Sequence, residues 1–350
     1  MMGLHKLTAG DGYLYLIKQV AAGDSTEKGR TSLDDYYSSK GESPGQWVGR
    51  GLTGLGQPVG REGTDVSAWR VDAGSMVTED QMKALFGEGL HPNADTITKA
   101  VTGRGLRGKA QIAAARLGSP FKIYEDDNTF YTRLSKAYAD YNAALGLSCH
   151  ATLSEDIKSQ IRTSVGAEMF QEEHHRAPLN DRELTGFIAK NSRPSTKAVA
   201  GYDLTFSPVK SVSALWAIAP RDIADAIEEC HQAAVADVIA FLEQEVIFSR
   251  LGANGVQQVD TDGLIAAHYF HRSNRDLCPQ LHSHLALSNK VRVTGADGVP
   301  RWLAVDGRPL HKATVAASEM YNTRLEAHMI ANQQLQVRFE DRGPAQFRKR

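Results

Sequence analysis

The sequence predicts an α+β fold, in which strands and helices alternate and one long connection separates two strand-bearing regions. Strand patterns occur near the N-terminus and again after residue 198, whereas residues 59–197 carry apolar positions three and four apart, the spacing of helices. Hydrophobic residues make up 41% of the 350 and charged residues 23%, a globular composition that excludes wholesale disorder. A mixed α+β fold or a split βαβ arrangement fits these observations.

The N-terminal region predicts a short strand, a turn and a helix within residues 4–22. The turn is indicated by Ala9-Gly10-Asp11-Gly12, which also supplies a helix cap. A polar loop follows at 23–32, and then a glycine-rich run at 41–56 that contains Trp47-Val48-Gly49-Arg50-Gly51.

The middle of the chain predicts a mostly helical insertion, with helices at 80–86, 130–145, 154–174 and 181–188 and proline-bearing linkers between them. We therefore predict three parts. Residues 1–58 form the N-terminal part of the functional domain, residues 59–197 the insertion, and residues 198–350 the rest of that domain.

The C-terminal region returns to strands, predicted at 202–206, 264–271 and 282–293. The clearest helix of the sequence is predicted at 222–245, where one apolar stripe runs from Ile223 to Phe241, and a further helix is predicted at 313–330.

Charge and cysteine content narrow the class of protein. Lysine and arginine total 40 against 41 acidic residues, which excludes a uniformly basic nucleic-acid coat but leaves room for a local basic groove. Three widely spaced cysteines imply no disulfide framework, so we expect a reducing, cytoplasmic location. The sequence has no apolar run of the ~18 residues that a membrane helix needs, so no membrane insertion is expected.

Three histidines are candidate metal ligands. His282 and His284 lie two residues apart and project from the same face of a predicted strand, and His271 can complete a three-nitrogen site from a neighbouring strand. A His-x-His pair is also common on ordinary surfaces, so the pair alone does not decide between the two interpretations. Three imidazoles without a thiolate would leave positions open on the ion, as catalytic metal sites do.

Four segments together resemble a known family. His271 precedes Pro279-Gln280-Leu281-His282-Ser283-His284 at the spacing of the metal-binding signature of MobF-class conjugative relaxases, the TrwC/TraI type of HUH endonuclease. Residues 201–213, which include Asp203-Leu204-Thr205-Phe206-Ser207, resemble a second family motif. The tyrosine pair at 36–37 with the glycine loop, and Trp302-Leu303-Ala304 before a helix, resemble two more.

The resemblance covers residues 4–56 and 198–340 and implies an HUH relaxase fold, a central antiparallel sheet flanked by helices with a large helical insertion. It implies site- and strand-specific nicking and rejoining of DNA at a plasmid origin of transfer, through a covalent 5′-phosphotyrosyl intermediate that initiates conjugation. The implied partners are single-stranded DNA at that origin, accessory transfer proteins and a coupling ATPase. Because such proteins continue into a helicase or ATPase, we expect this chain to be a relaxase domain cut from a longer protein.

The resemblance also implies site residues. His271, His282 and His284 would hold the metal, and Asp203 would anchor an imidazole or accept the phenolic proton. The family has an adjacent tyrosine pair where this chain reads Tyr13-Leu14-Tyr15. Alignment favours Tyr15 as nucleophile, with Tyr13 next. Residues two apart point about 200° apart on a helix, so we expect one of the two to pack into the core.

Tyr36 is a further candidate, either for a later strand-transfer step or as a loop aromatic that stacks on DNA. Lys210, Arg50 and Arg272 are the candidate DNA contacts. The family resemblance implies magnesium or manganese in action, whereas three imidazoles also permit zinc, nickel, copper or iron.

Three other functions remain open at this stage. They are a rolling-circle replication initiator or transposase of the HUH class, a metal-dependent hydrolase without a covalent intermediate, and a non-catalytic single-stranded DNA-binding module. A covalent protein–DNA adduct on a denaturing gel separates the nicking enzymes from the other two.

Overall fold

The computed structural model describes residues 1–16, 45–57, 69–103, 105–121, 129–148, 151–192, 198–274 and 278–340. Its central feature is a five-stranded sheet in the order β1-β3-β7-β6-β2, with every neighbouring pair antiparallel. Two further two-stranded sheets pair β4 with β5 and β8 with β9. The strands are β1 (Met2–Thr8), β2 (Gln46–Val48), β3 (Val199–Phe206), β4 (Phe248–Leu251), β5 (Gln257–Asp260), β6 (Ala266–Ser273), β7 (Pro279–Ser288), β8 (Lys290–Thr294) and β9 (Pro300–Ala304).

Helices account for most of the remaining described chain. They are α1 (Leu52–Leu55), α2 (Glu79–Met82), which continues into a π-helix (Lys83–Glu88), α3 (Ala94–Gly103), α4 (Lys109–Ala114), α5 (Thr129–Ala144), α6 (Glu155–His174), α7 (Asp181–Asn191), α8 (Lys210–Ile218), α9 (Arg221–Glu245) and α10 (Gly307–Ala331). Side-chain caps begin several of them: Thr78 forms a capping box with Gln81, and Asp306 accepts the backbone N–H of Arg308. Within the described ranges, no helix combines the length and apolar character needed to cross a membrane.

The central sheet is antiparallel and has a hydrophobic core on each face. Together with the flanking helices, it confirms the predicted α+β class with an antiparallel sheet. On one face, α9 and α10 pack their apolar stripes against strand residues such as Leu204 and Leu285. On the opposite face, Trp47 and Tyr269 are fully buried with Phe86 of the π-helix. Since strand residues alternate between faces, successive residues along β6 or along β7 enter different cores.

The chain divides into two compact units, residues 1–122 with 198–350, and residues 123–197. The second unit contains α5, α6 and α7, whose buried residues include Phe130 and Val165. The predicted insertion of 59–197 does not coincide with this unit. Its described part before residue 122 groups with the sheet, because side chains such as Val77 and Leu85 share a core with strand residues.

The strand predicted at 282–293 is two strands, and this is a correction. The break lies at Asn289, whose backbone N–H donates to the Ala200 carbonyl at 2.8 Å. Its side-chain amide donates to the Val199 carbonyl at 2.7 Å and accepts the Val305 N–H at 3.0 Å. Asn289 therefore ends pairing in the central sheet and directs β8 toward β9. Apolar alternation continues across the break, so the pattern alone does not reveal it.

The glycine loop after Trp47 lies tightly against the segment that leads into β6. Gly49 has a φ of 109°, and a Cβ atom at this position would lie 2.2 Å from the carbonyl oxygen of Leu264. Only glycine tolerates both conditions. The loop thereby secures the edge strand β2 against β6, where Trp47 pairs with Ala267.

Candidate metal centre and nucleophile

The three predicted histidines converge at one end of the sheet. His271 on β6 pairs directly with His282 on β7, and His284 follows two residues later on the same face. Their ring centroids are 5.1, 5.2 and 5.4 Å apart, and one nitrogen from each ring lies within 4.8 Å of the others. Nitrogens bound to one ion at ~2.1 Å are at most about 4.2 Å apart, so small side-chain rotations would close the site.

Hydrogen bonds leave one nitrogen available on each of these rings. His284 Nδ1 lies 2.8 Å from Asp203 Oδ2, and His282 Nδ1 lies 3.0 Å from the Gln280 carbonyl oxygen. Both contacts place the ring proton on Nδ1 and leave Nε2 as a metal-binding lone pair. His271 Nε2 is buried and has no hydrogen-bond partner in the part of the chain that the structure describes. Such an orphaned nitrogen fits a metal ligand.

Burial favours the neutral form of two of these imidazoles. Burial, followed by the neighbouring histidines, lowers the pKa of His271 to about 3. Burial also lowers the pKa of His282. Neutral imidazole is the form that coordinates a metal, so the site is ready for a cation at neutral pH.

Asp203 connects the histidines to a tyrosine. Its carboxylate is 1% exposed, and its Oδ2 atom accepts hydrogen bonds from His284 Nδ1 at 2.8 Å and from the Tyr15 hydroxyl at 2.6 Å. The Thr205 hydroxyl lies 3.4 Å from the same oxygen. Burial, followed by the charge of Asp203, raises the pKa of Tyr15 well above its usual value. The phenol therefore needs a proton acceptor in place to act as a nucleophile, and Asp203 is the candidate that lies within hydrogen-bond distance.

The two N-terminal tyrosines occupy different environments. Tyr15 is partly exposed and reaches Asp203, with its ring 6.5 Å from that of His284. Tyr13 is 5% exposed and packs in the core beside Leu7 and Leu16. Helical backbone begins at residue 14, so Tyr13 belongs to the preceding turn rather than to the helix that the sequence predicted for it. Tyr36 lies outside the described residues.

The predicted DNA contacts differ in their charge partners. Arg272 forms two hydrogen bonds with the carboxylate of Glu228, at 2.8 and 2.6 Å, and Arg50 binds Glu243 at 2.9 Å. Each guanidinium is thus paired with a carboxylate that reduces its attraction for phosphate. Lys210 is exposed at the first residue of α8 and forms no ion pair within the described ranges.

Sequence reasoning missed two contributors to this centre. The carbonyl oxygen of Gln280 orients His282, and Thr205 lies between Asp203 and His284, 3.3 Å from the Nδ1 atom of the latter. The period of a strand could have identified Thr205, which lies two residues after Asp203 and therefore on the same face. A backbone carbonyl carries no such signal.

Comparison with known proteins places the chain in a family. A profile of the TrwC relaxase family matches residues 9–349. The multifunctional conjugation protein TraI of Escherichia coli is 29% identical over 150 residues, which are 43% of this chain and 8% of TraI. The chain thus matches only a small part of that relative's length.

Solved structures of the conjugative relaxase TrwC are also similar. A copper-bound structure in complex with oriT DNA gives a TM-score of 0.43 at 20% identity, over 94% of this chain and 69% of that chain. TrwC complexed with a 27-mer DNA gives 0.35 at 25% identity, over 64% and 72%. Because the family profile spans nearly the whole sequence, the chain belongs to the TrwC relaxase family.

Proposed function

We propose that this chain nicks and rejoins one DNA strand at an origin of transfer and so initiates conjugative DNA transfer, with Tyr15 as the nucleophile. The observation that carries the proposal is the 2.6 Å hydrogen bond from the Tyr15 hydroxyl to Asp203, the same carboxylate that binds His284. Nucleophile, proton acceptor and metal ligand are thereby linked through one oxygen atom.

The chemistry follows from that link. Asp203 takes the phenolic proton as the Tyr15 oxygen attacks phosphorus, the bond from phosphorus to the 3′ oxygen breaks, and that oxygen takes up a proton to leave as a hydroxyl. The product is a 5′-phosphotyrosyl bond, which retains the energy needed for rejoining by the reverse reaction. A divalent ion held by His271, His282 and His284 would stabilise the negative charge of the phosphate in the transition state.

The identity of the ion belongs to the proposal as well. We propose that manganese or magnesium is the ion used in the reaction, as the family resemblance implies. Three nitrogen ligands bind nickel, copper and zinc more tightly than manganese, as the general affinity order of divalent metals predicts. After removal of metal with EDTA, nicking should return on addition of Mn²⁺ or Mg²⁺. Recovery with Zn²⁺ alone would contradict this assignment.

DNA binding is assigned with unequal support. Lys210 is the proposed phosphate contact, because its charge is exposed and unpaired by any carboxylate within the described ranges. Arg50 and Arg272 stay predictions with less support, since each already binds a carboxylate. Tyr36 stays a prediction for a later strand-transfer step.

The cellular setting is proposed on the same basis. An origin of transfer lies on cytoplasmic DNA, so we propose a cytoplasmic location with accessory transfer proteins and a coupling ATPase as partners. Affinity purification from conjugating cells would test these partners, and recovery of the chain without any transfer protein would contradict them.

The decisive experiment measures the covalent adduct. The chain is mixed with Mn²⁺ and a single-stranded origin-of-transfer oligonucleotide, and the adduct is resolved on a denaturing gel and mapped by mass spectrometry. Tyr15→Phe should abolish the adduct, whereas Tyr13→Phe should retain it, because Tyr13 serves packing that phenylalanine preserves.

Three outcomes would contradict the proposal. An unchanged rate in Tyr15→Phe would exclude Tyr15. An adduct lost only in Tyr13→Phe would move the nucleophile by two residues. Binding of the oligonucleotide without any adduct would favour the non-catalytic DNA-binding module.

A further inference from the structure

A buried chain of hydrogen bonds lies on the face of the sheet opposite the three histidines. His231 of α9 is 2.7 Å from the Ser283 hydroxyl through Nε2 and 2.7 Å from the Tyr321 hydroxyl of α10 through Nδ1. All three side chains are 0% exposed. One neutral imidazole satisfies both contacts, with one nitrogen as donor and the other as acceptor.

The position of Ser283 connects these hydrogen bonds to the candidate metal ligands. Ser283 separates His282 from His284 on β7 and points to the opposite face, so its backbone is continuous with both candidate ligands. His231 also lies beside Phe270, with ring centroids 5.7 Å apart, and Phe270 pairs with Ser283 and immediately precedes His271. One side chain thus contacts both ligand-bearing strands from behind.

The strand pairing is irregular immediately beside the candidate ligands. The register between β6 and β7 shifts between His271 and Ser273, directly beside the candidate ligands. A shift of this kind interrupts the regular ladder and leaves the strand end less constrained. Most side chains of the surrounding core are apolar, and their contacts are not directional. The hydrogen bond between His231 and Ser283 adds a directional restraint on β7 at this point, and the bond to Tyr321 orients the His231 ring.

We propose that His231 is a positioning residue for the metal centre, which holds Ser283 and, through it, His282 and His284 in the geometry that one ion requires. The inference rests on the metal centre of the proposed function. Tyr321 in turn orients the ring of His231. The packing of α9 and α10 thus restrains the position of Ser283 through these two hydrogen bonds.

The test measures Co²⁺ binding to the full chain without DNA, by titration calorimetry and by the visible absorption spectrum, which reports coordination geometry. Ser283→Ala removes one oxygen atom and should weaken Co²⁺ binding roughly tenfold and alter the spectrum, in line with losses seen when outer partners of metal ligands are removed. His231→Phe should have an effect of the same order. The double variant should bind Co²⁺ no more weakly than His231→Phe alone, because both substitutions remove the same bond between Ser283 and His231.

Ile227→Val is the matched control. Ile227 lies one turn before His231 in the same buried core and forms only apolar contacts there, so its truncation lowers stability without touching the hydrogen-bond chain. Co²⁺ affinity and spectrum should be unchanged in this variant.

Unchanged Co²⁺ affinity and spectrum in folded Ser283→Ala would overturn the inference, as would equal losses in Ile227→Val. Should His231→Phe fail to fold, Ser283→Ala alone decides. The Co²⁺ titration contains no DNA and is therefore independent of the adduct assay. A wild-type chain that binds Co²⁺ in the titration but forms no adduct with the oligonucleotide would overturn the proposed function and leave this inference standing.

Discussion

Replacement of Asp203 by asparagine tests the proposed proton transfer with minimal change of shape. In the structure, Oδ2 of Asp203 receives the hydrogen bonds from Tyr15 and His284, whereas Oδ1 is buried without a partner in the described ranges. The amide oxygen of asparagine can occupy the Oδ2 position and accept both bonds, and its NH₂ group then takes the Oδ1 position. The variant therefore keeps the geometry and loses the base.

The expected loss of rate follows from that difference. General base catalysis contributes about 10²- to 10⁴-fold, so Asp203→Asn should slow adduct formation by this factor, which corresponds to about 3–5 kcal/mol in the barrier. The buried NH₂ group without a partner should also lower the free energy of unfolding by about 1–3 kcal/mol.

The pH dependence should change as well. The charge of Asp203 contributes to the raised pKa of Tyr15, so its removal brings that pKa down, although burial still holds it above the usual value. The rate of Asp203→Asn should consequently rise with pH through the alkaline range, as solvent takes over the role of base.

The assay is single-turnover adduct formation with saturating Mn²⁺ at pH 7–10, and circular dichroism serves as the control for folding. Saturating metal separates a lost base from weakened metal binding. A rate at pH 7 within threefold of wild type would refute the assignment of Asp203 as proton acceptor.

Three further predictions concern stability and metal binding. Burial lowers the pKa of His91 to about 4, against 6.5 when unfolded, so the unfolded chain binds more protons between these values and stability falls as pH drops from 6.5 to 4, by about 3 kcal/mol in total. Urea unfolding should therefore show the stability gap between wild type and His91→Gln narrowing from pH 7.5 to pH 5, and a constant gap would contradict this. Gly49→Ala should lower the free energy of unfolding by at least about 1–3 kcal/mol, because its Cβ meets the Leu264 carbonyl and its φ is positive; a neutral effect on the urea midpoint would count against that reasoning. Mn²⁺ at a hundred times its Kd should stabilise the wild type by about 2.7 kcal/mol in thermal unfolding and should not stabilise His282→Ala, whose equal stabilisation would place the ion elsewhere.

The sequence predicts best those features that a local period encodes. The apolar stripe of α9 and the shared face of His282 and His284 follow from helix and strand geometry, and the structure has both. The α+β class is confirmed for the same reason, whereas the antiparallel central sheet, which is also confirmed, was implied by the family resemblance. Features set by distant partners escape such reasoning. The break at Asn289 depends on carbonyls of β3, and the boundary near residue 122 depends on which core each helix joins.

The candidate site likewise contains some residues that local sequence patterns predict and others that only distant contacts bring together. The three candidate metal ligands and Asp203 lie in motifs that a reader of the sequence can single out, and their roles stay predictions. The contact of Tyr15 with Asp203 bridges 188 residues and could be anticipated only through a family resemblance. His231 lies in no recognisable motif. Its proposed role depends on its contact with Ser283, which only the folded structure reveals.

The separation of these contacts along the chain sets an order for folding. His271 and His282 are 11 residues apart, whereas Tyr15 meets Asp203 only after closure of a loop of 188 residues. By loop-closure entropy alone, the longer closure costs about 2.5 kcal/mol more. Pulsed hydrogen exchange during refolding should therefore protect β6 and β7 before β1. A chain that emerges N-terminus first carries Tyr15 from the beginning, yet we expect Tyr15 to be the last component of the candidate site to reach its place. A partly folded chain should therefore bring the three histidines together before the proposed nucleophile joins them.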